Sequence, residues 1–206
     1  MNIQARKQAL RQSIIAARSN MADAERIRLS GQITQRLAGL EAYHSAAAIL
    51  AYMNFGAEFA ATQFVQQALR DGKQLLLPKV NRETKQLDVY RITNLAQDVA
   101  PGVWEIPEPL TERCPKVTDL SPIGFILLPG VAFGRDGARL GYGGGFYDKL
   151  LARLPHQPVL VAAAFAMQVV EDIPQEATDR KVGWLVTEQE TIRCGDRTSR
   201  DIRNDY

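Results

Sequence analysis

Seven of the fifteen glycines in this 206-residue chain fall within the sixteen residues from Gly130 to Gly145. They follow an apolar run, Phe125-Ile126-Leu127-Leu128, and precede a segment of helical pattern that opens at Phe146. Glycine permits positive φ and lets backbone N–H groups approach a ligand with no Cβ in the way, while a helix N-terminus adds unpaired donors. A strand, such a loop and a helix in that order form a cradle for an anion, with phosphate the expected one. Arg135 and Arg139 place cations within the loop, and Asp148, just inside the helix, offers a carboxylate able to hold a divalent ion that bridges phosphates. Two plainer readings stand beside this one. The glycines would also serve tight turns, Asp136-Gly137 among them, and an Asp in a first helical turn is favoured by the helix dipole alone. The loop carries neither common phosphate fingerprint. There is no GxxxxGK followed by Ser or Thr, and Gly141-Tyr142-Gly143-Gly144-Gly145-Phe146 lacks the last glycine of GxGxxG.

A second group lies near the N-terminus. On a helical wheel Lys7, Arg11 and Arg18 fall within about 40° of one another, with Ile14 among them. Cations on an inward-packing face need partners, and either an anionic ligand or an internal Asp or Glu would serve. Other chemistries are thinly provided for. The chain has two histidines, His44 and His156, and two cysteines, Cys114 and Cys194, so histidine metal sites, a Ser-His-Asp triad, cysteine clusters and a disulfide scaffold all lack residues. What remains is chemistry by phosphate, metal and positioning.

The elements that must hold these groups alternate. Asn2 to Arg18 reads as a helix, and Asn20, three before Asp23, reads as a capping-box start for a second through Ile27, Ile33, Leu37 and Leu40. Ala46 to Tyr52 reads as a buried strand, Thr62 to Arg70 as a helix stopped by Asp71-Gly72, and Leu75 to Leu77 and Asp88 to Ile92 as strands. Pro101, Pro107, Pro109 and Pro115 then mark a long connection without regular structure. Strands at Gly124 to Leu128, Val159 to Ala166 and Val182 to Thr187 follow, with a helix at Phe146 to Leu154. Strands separated by helices predict one α/β domain over 1–190, a mainly parallel sheet with helices on both faces, and 191–206 as a polar, frayed tail.

Composition agrees with that class. Hydrophobic residues make up 46% and charged residues 23%, the balance of a chain that buries a core. The net charge of +2 argues against general nucleic-acid or membrane-surface binding. The longest apolar run, Val159 to Met167, is about half of a membrane span. Cysteine scarcity and the lack of a secretory leader predict a cytoplasmic protein, taken here as a monomer with a small-molecule substrate.

Leu128-Pro129-Gly130-Val131-Ala132-Phe133, followed by Gly137-Ala138-Arg139-Leu140 and the run from Gly141 to Asp148, resembles the signature of the 5-formyltetrahydrofolate cyclo-ligase family, also called methenyltetrahydrofolate synthetase. The similarity extends to Lys7 and Arg11, to Met53 through Glu58, to Trp104 through Pro109, and to Pro174 through Asp179. It implies an ATP- and Mg²⁺-dependent cyclisation of 5-formyltetrahydrofolate to 5,10-methenyltetrahydrofolate, with release of ADP and phosphate, through a phosphorylated formyl intermediate. By the same resemblance Lys7 and Arg11 contact ATP phosphates, and Arg139, Gly141, Gly143, Gly144, Gly145, Phe146 and Tyr147 wrap the nucleotide, with Arg139 and Tyr147 at the reacting atoms. Met53, Glu58, Tyr142, Gly144 and Phe146 would meet the folate, and Asp148 and Asp179 the Mg²⁺. Trp104 resembles a pterin-pocket aromatic, with a structural buried Trp as the alternative. Some relatives carry basic residues where Tyr142 and Gly144 stand, which leaves the phosphate charge here to Lys7, Arg11, Arg135 and Arg139. The family's threonine three positions after the acid is replaced by Ala61, with Thr62 next.

Overall fold

Asn2 opens the first helix by accepting a hydrogen bond from the Ala5 N–H at 2.8 Å, and α1 (Ile3–Ser19) runs on without Gly or Pro. The computed structural model describes residues 2–102, 105–176 and 179–195. Asn20 does not cap the second helix. It continues α1 as its C-cap, with its N–H on the Ala17 carbonyl, and α2 (Asp23–Ala38) starts from Ala22 without a side-chain cap. There follow α3 (Glu41–Ser45), β1 (Ala48–Leu50), α4 (Thr62–Arg70), β2 (Gln74–Asn81), β3 (Gln86–Ile92), α5 (Leu95–Asp98), β4 (Val99–Pro101) and β5 (Pro107–Pro109). The second half supplies β6 (Lys116–Val117), β7 (Ile123–Leu128), β8 (Ala132–Gly134), β9 (Arg139–Leu140), α6 (Phe146–Leu151), β10 (Val159–Ala163), β11 (Val169–Val170), β12 (Trp184–Val186) and β13 (Thr191–Arg193).

The main sheet has eight strands in the order β13-β12-β10-β7-β1-β2-β3-β6. Its centre is parallel, from β12 through β10, β7 and β1 to β2, while β13, β3 and β6 add antiparallel edges. The central strands are buried on both faces, and their alternate residues enter two cores. Ile49, Leu75, Phe125 and Leu127 pack with Ile33 and Leu37 of α2, Tyr43 of α3 and Phe64 of α4. On the other face Leu50, Leu76, Ile126 and Leu128 pack with Leu150 and Leu151 of α6. The α/β architecture with helices on both faces is therefore as expected.

Three regions depart from the pattern expected of them. The glycine-rich stretch is not one loop, since β8 and β9 form a hairpin that β11 extends into a three-stranded sheet. On this small sheet Ile14 of α1 meets Val131, Ala132, Ala138, Leu140 and Ile173. Gly137 makes the hairpin turn at φ +88°, and a Cβ there would lie 2.4 Å from the Val182 carbonyl oxygen. The turn reading thus holds at that position. The proline-rich connection is also partly regular. β4 and β5 pair antiparallel, with Pro101 opposite Pro107, because a two-stranded ladder consists only of edges, where a missing N–H is tolerated. Finally, the stretch expected to fray from Thr191 begins as a strand, as Ile192 packs on the second core and β13 pairs with β12. Residues 196–206 and Trp104 lie outside the described residues. No described helix is long and apolar enough to cross a membrane.

Candidate functional site

The parallel strands β1 and β7 both end on the same side of the sheet, one leading into Met53 to Glu58 and the other into the glycine-rich stretch. Outside their carboxyl ends lies a cleft of about 740 Å³, the place where open α/β sheets receive ligands. A smaller depression of about 330 Å³ beside Gln32, Gln35, Arg36 and Glu188 gathers none of the expected site residues.

Cations from α1 and β9 line the cleft. Lys7 is 5% exposed, and its ammonium donates to Glu176 Oε2 at 2.8 Å and Asp179 Oδ2 at 2.9 Å. Burial works against its charge, yet the two carboxylates outweigh burial and hold its pKa above the ordinary lysine value. Burial likewise pushes the Asp179 carboxyl up, and the Glu176 N–H, Lys7 and Arg139 together bring it below the usual carboxylate range. Arg11 Nε donates to the Gly141 carbonyl at 2.8 Å. Its guanidinium lies 3.6 Å from where a Cβ of Gly143 would be, with Gly143 itself at φ +99°. Arg139, buried in the wall, donates from Nη2 to Asp148 Oδ1 at 2.8 Å and from Nη1 to the Pro129 carbonyl at 3.3 Å, and its Nε is buried without a partner. Asp148 stands in the first turn of α6, whose N-cap is Gly145.

A second group of lining residues is organised around Glu58. This side chain is only 4% exposed, in the turn where its own N–H bonds to the Phe55 carbonyl. Oε2 accepts from the Phe55 N–H at 2.8 Å, and Oε1 accepts from the Tyr142 hydroxyl at 2.5 Å. Burial pushes its carboxyl pKa up, and these bonds and the charge of Arg18 offset that only in part. The phenols of Tyr52 and Tyr147 are pushed above the ordinary tyrosine value, first by burial and then by the Glu58 charge, so both stay protonated donors at neutral pH. Met53 and Phe146 complete the apolar wall, and the exposed rings of Phe55 and Tyr142 meet edge to face at 6.4 Å between centroids.

Of the residues expected from the sequence, Lys7, Arg11, Met53, Glu58, Arg139, the run from Gly141 to Asp148, and Asp179 all line this one cleft. Arg135 does not. Its guanidinium lies outside, 63% exposed, and pairs with Glu190 beside β13, because the turn at Gly137 carries it away from Arg139. Of the two kinds of partner open to the basic stripe of α1, Lys7 has the internal one, ion pairs with Glu176 and Asp179, and both of those carboxylates line the cleft. Sequence reasoning missed Glu176, which shares Lys7 with Asp179, and the place of Arg18, which donates to the Tyr142 hydroxyl at 2.8 Å. Among the described residues no group of three or more His, Cys, Asp or Glu makes a metal site on its own. Asp148 and Asp179 do fit Mg²⁺, which is ordinarily held by one or two carboxylates together with substrate phosphates and water. Arg139 bonds to one of them and its charge acts on the other.

A family model described as the 5-formyltetrahydrofolate cyclo-ligase family matches residues 3–188. The 5-formyltetrahydrofolate cyclo-ligase of Mus musculus is 28% identical over 197 residues, covering 91% of this chain and 96% of its own length. That of Haemophilus influenzae is 30% identical over 184 residues, covering 87% and 95%. The structure of Aquifex aeolicus 5,10-methenyltetrahydrofolate synthetase matches 97% of this chain and 98% of its own with a TM-score of 0.80 at 32% identity.

Proposed function

The chain belongs to the 5-formyltetrahydrofolate cyclo-ligase family, and from that membership we propose that it closes 5-formyltetrahydrofolate to 5,10-methenyltetrahydrofolate, converting ATP to ADP and phosphate. One observation carries the reading. A single cleft brings Lys7, Arg11 and Arg139 together with the buried acceptor Glu58, which suits a reaction joining a polyphosphate to a molecule rich in N–H donors.

The chemistry follows from the poor leaving ability of a formamide oxygen. That oxygen attacks the γ-phosphorus, its new P–O bond forming as the bond to the β-phosphate oxygen breaks and ADP departs. N10 of the same folate then adds to the formyl carbon, phosphate leaves with the former formyl oxygen, and N10 loses its proton. Such a transfer needs positioning and charge neutralisation more than a protein nucleophile, which suits a cleft without His or Cys. Arg139 and Arg11 neutralise the phosphates, and Lys7 adds a third cation. Tyr147, kept protonated by its surroundings, donates toward the reacting oxygen. Glu58 accepts from pterin N–H groups and, with Met53 and Phe146, holds the folate bent so that ring closure is intramolecular. Asp148 and Asp179 would hold Mg²⁺, which supplies charge neutralisation of the transferring phosphoryl group when bound.

The test is the near-ultraviolet absorbance of the methenyl product on mixing protein, 5-formyltetrahydrofolate and MgATP. A rise that needs both ATP and Mg²⁺, matched by released phosphate, is expected. Folded protein that binds the ligands and releases no phosphate would make this a nucleotide sensor instead.

A further inference from the structure

Arg18 is 3% exposed, and of its guanidinium nitrogens Nε and Nη1 are buried with no hydrogen-bond partner. A buried cation in that state is costly. Its Nη2 makes one bond, to the Tyr142 hydroxyl, and that hydroxyl bonds in turn to Glu58. The donor inventory fixes the direction of this chain. Arg is a donor only and keeps its charge, so it occupies a lone pair of the Tyr142 oxygen. A phenol has a single proton, which must therefore point to Glu58 Oε1. Glu58 Oε2 already receives the Phe55 N–H. While Glu58 is ionised both of its oxygens are acceptors, and the lone pairs left over receive donors from the cleft.

We propose that Arg18 is a positioning residue which, through the Tyr142 hydroxyl, fixes Glu58 as an acceptor-only carboxylate and so sets the cleft to select a ligand that presents N–H donors. This rests on the reading that Glu58 receives the folate. Without Arg18 the phenol is free to turn, and Glu58 to take a proton and present a donor where the ligand also has one. The titratable and charged groups that face Glu58 among the described residues are Tyr52 after β1, Tyr142 after β9, Tyr147 in α6 and Arg18 in α1. Arg18 is the cation of that set.

The experiment compares Arg18→Met, Arg18→Lys, Tyr142→Phe and the Met/Phe double variant, each checked for folding by its thermal transition. Arg18→Met is expected to raise KM for 5-formyltetrahydrofolate about tenfold, leave KM for ATP unchanged, and move the acid limb of kcat/KM for folate about one pH unit upward. Arg18→Lys restores the position of the acid limb. In the double variant the folate KM is no worse than in Tyr142→Phe alone, since both substitutions cut the same chain. Additive losses, or equal losses for ATP and folate, would overturn the proposal. Should Arg18→Met not fold, Arg18→Gln with and without Tyr142→Phe gives the same cycle. Glu58→Gln separates the two readings. If it leaves folate KM unchanged, the assignment of Glu58 to folate fails. If it raises KM while the uncharged Arg18 variant leaves the acid limb in place, this inference alone falls.

Discussion

Asp148 holds Arg139 by an ion pair, so removing its charge has opposite consequences for ATP with and without metal. In Asp148→Asn the amide oxygen still accepts from Arg139 Nη2, now without charge assistance. A hydrogen bond to a charged group is worth about 1.5–3 kcal/mol, and with the Asp148 side chain 39% exposed, solvent reduces the difference to about 1 kcal/mol. That amount no longer opposes the turn of Arg139 toward phosphate, and one negative charge beside the incoming polyphosphate is gone. ATP in the presence of EDTA should therefore bind about fivefold tighter than to the wild type. With Mg²⁺ the sign reverses, because one of two protein carboxylates for the ion is missing. MgATP should bind at least about tenfold more weakly, and kcat should fall about 10²–10⁴-fold, the range expected for several kcal/mol of lost charge neutralisation. Titration calorimetry in the two buffers, with turnover followed by the methenyl absorbance, reads all three numbers. A variant that weakens ATP equally in EDTA and in Mg²⁺ would refute the reasoning, since Asp148 would then act on the loop and not through a metal.

Three other outcomes follow from the same geometry. Glu58→Gln should raise KM for 5-formyltetrahydrofolate about 30-fold, the value of a charge-assisted bond lost at a buried site, with KM for ATP unaffected in the same steady-state assay. Arg11→Ala should raise KM for ATP about tenfold and leave folate KM alone, and an unchanged ATP value would reduce Arg11 to a clamp on the Gly141 carbonyl. Asp98 accepts from the Thr93 and Asn94 N–H groups at 2.8 Å each and from the Thr93 hydroxyl at 3.1 Å, and although burial pushes its carboxyl up, these bonds hold it below the usual carboxylate range. A depressed native pKa contributes stability that is complete above about pH 4 and disappears as pH falls through the native value. Urea unfolding should show the wild type losing stability as pH falls below about 4, and Asp98→Asn starting about 2 kcal/mol lower at pH 7 and losing less on that descent.

Sequence pattern reached furthest where one local cause acts alone. The helix at Thr62 to Arg70 is found at its expected bounds because Gly72 stops it and its apolar spacing is unambiguous. The central strands were legible as apolar runs, but their bounds follow the partner each finds on the sheet, so that Val159 to Ala166 shortens to Val159–Ala163 while Leu75 to Leu77 lengthens to Gln74–Asn81. Clustering of glycine marked the cleft wall, yet composition could not separate Gly137, which makes a hairpin turn, from Gly143, which lies against Arg11. Arg135 was misplaced for the same reason, since closeness in sequence to Arg139 says nothing about the side of a hairpin. Glu58 was reached through family resemblance and not through its own pattern. Nothing local distinguishes an acid that will be buried. The link from Arg18 to Glu58 joins three separate segments, and only the fold brings them together.

The docking of α1 makes the order of synthesis matter. Lys7 finds its carboxylates 169 and 172 residues later in the chain, and Arg11 its carbonyl 130 residues later. During translation the helix that carries these cations is complete long before the surface it belongs to exists. It must wait with its apolar face uncovered until the small sheet and the segment around Glu176 have emerged. Contacts of such sequence separation form slowly and late. The cleft is thus expected to be the last part of the molecule to assemble, after the parallel sheet has formed, and a nascent chain stalled before Pro174 would hold most of its core and no competent site.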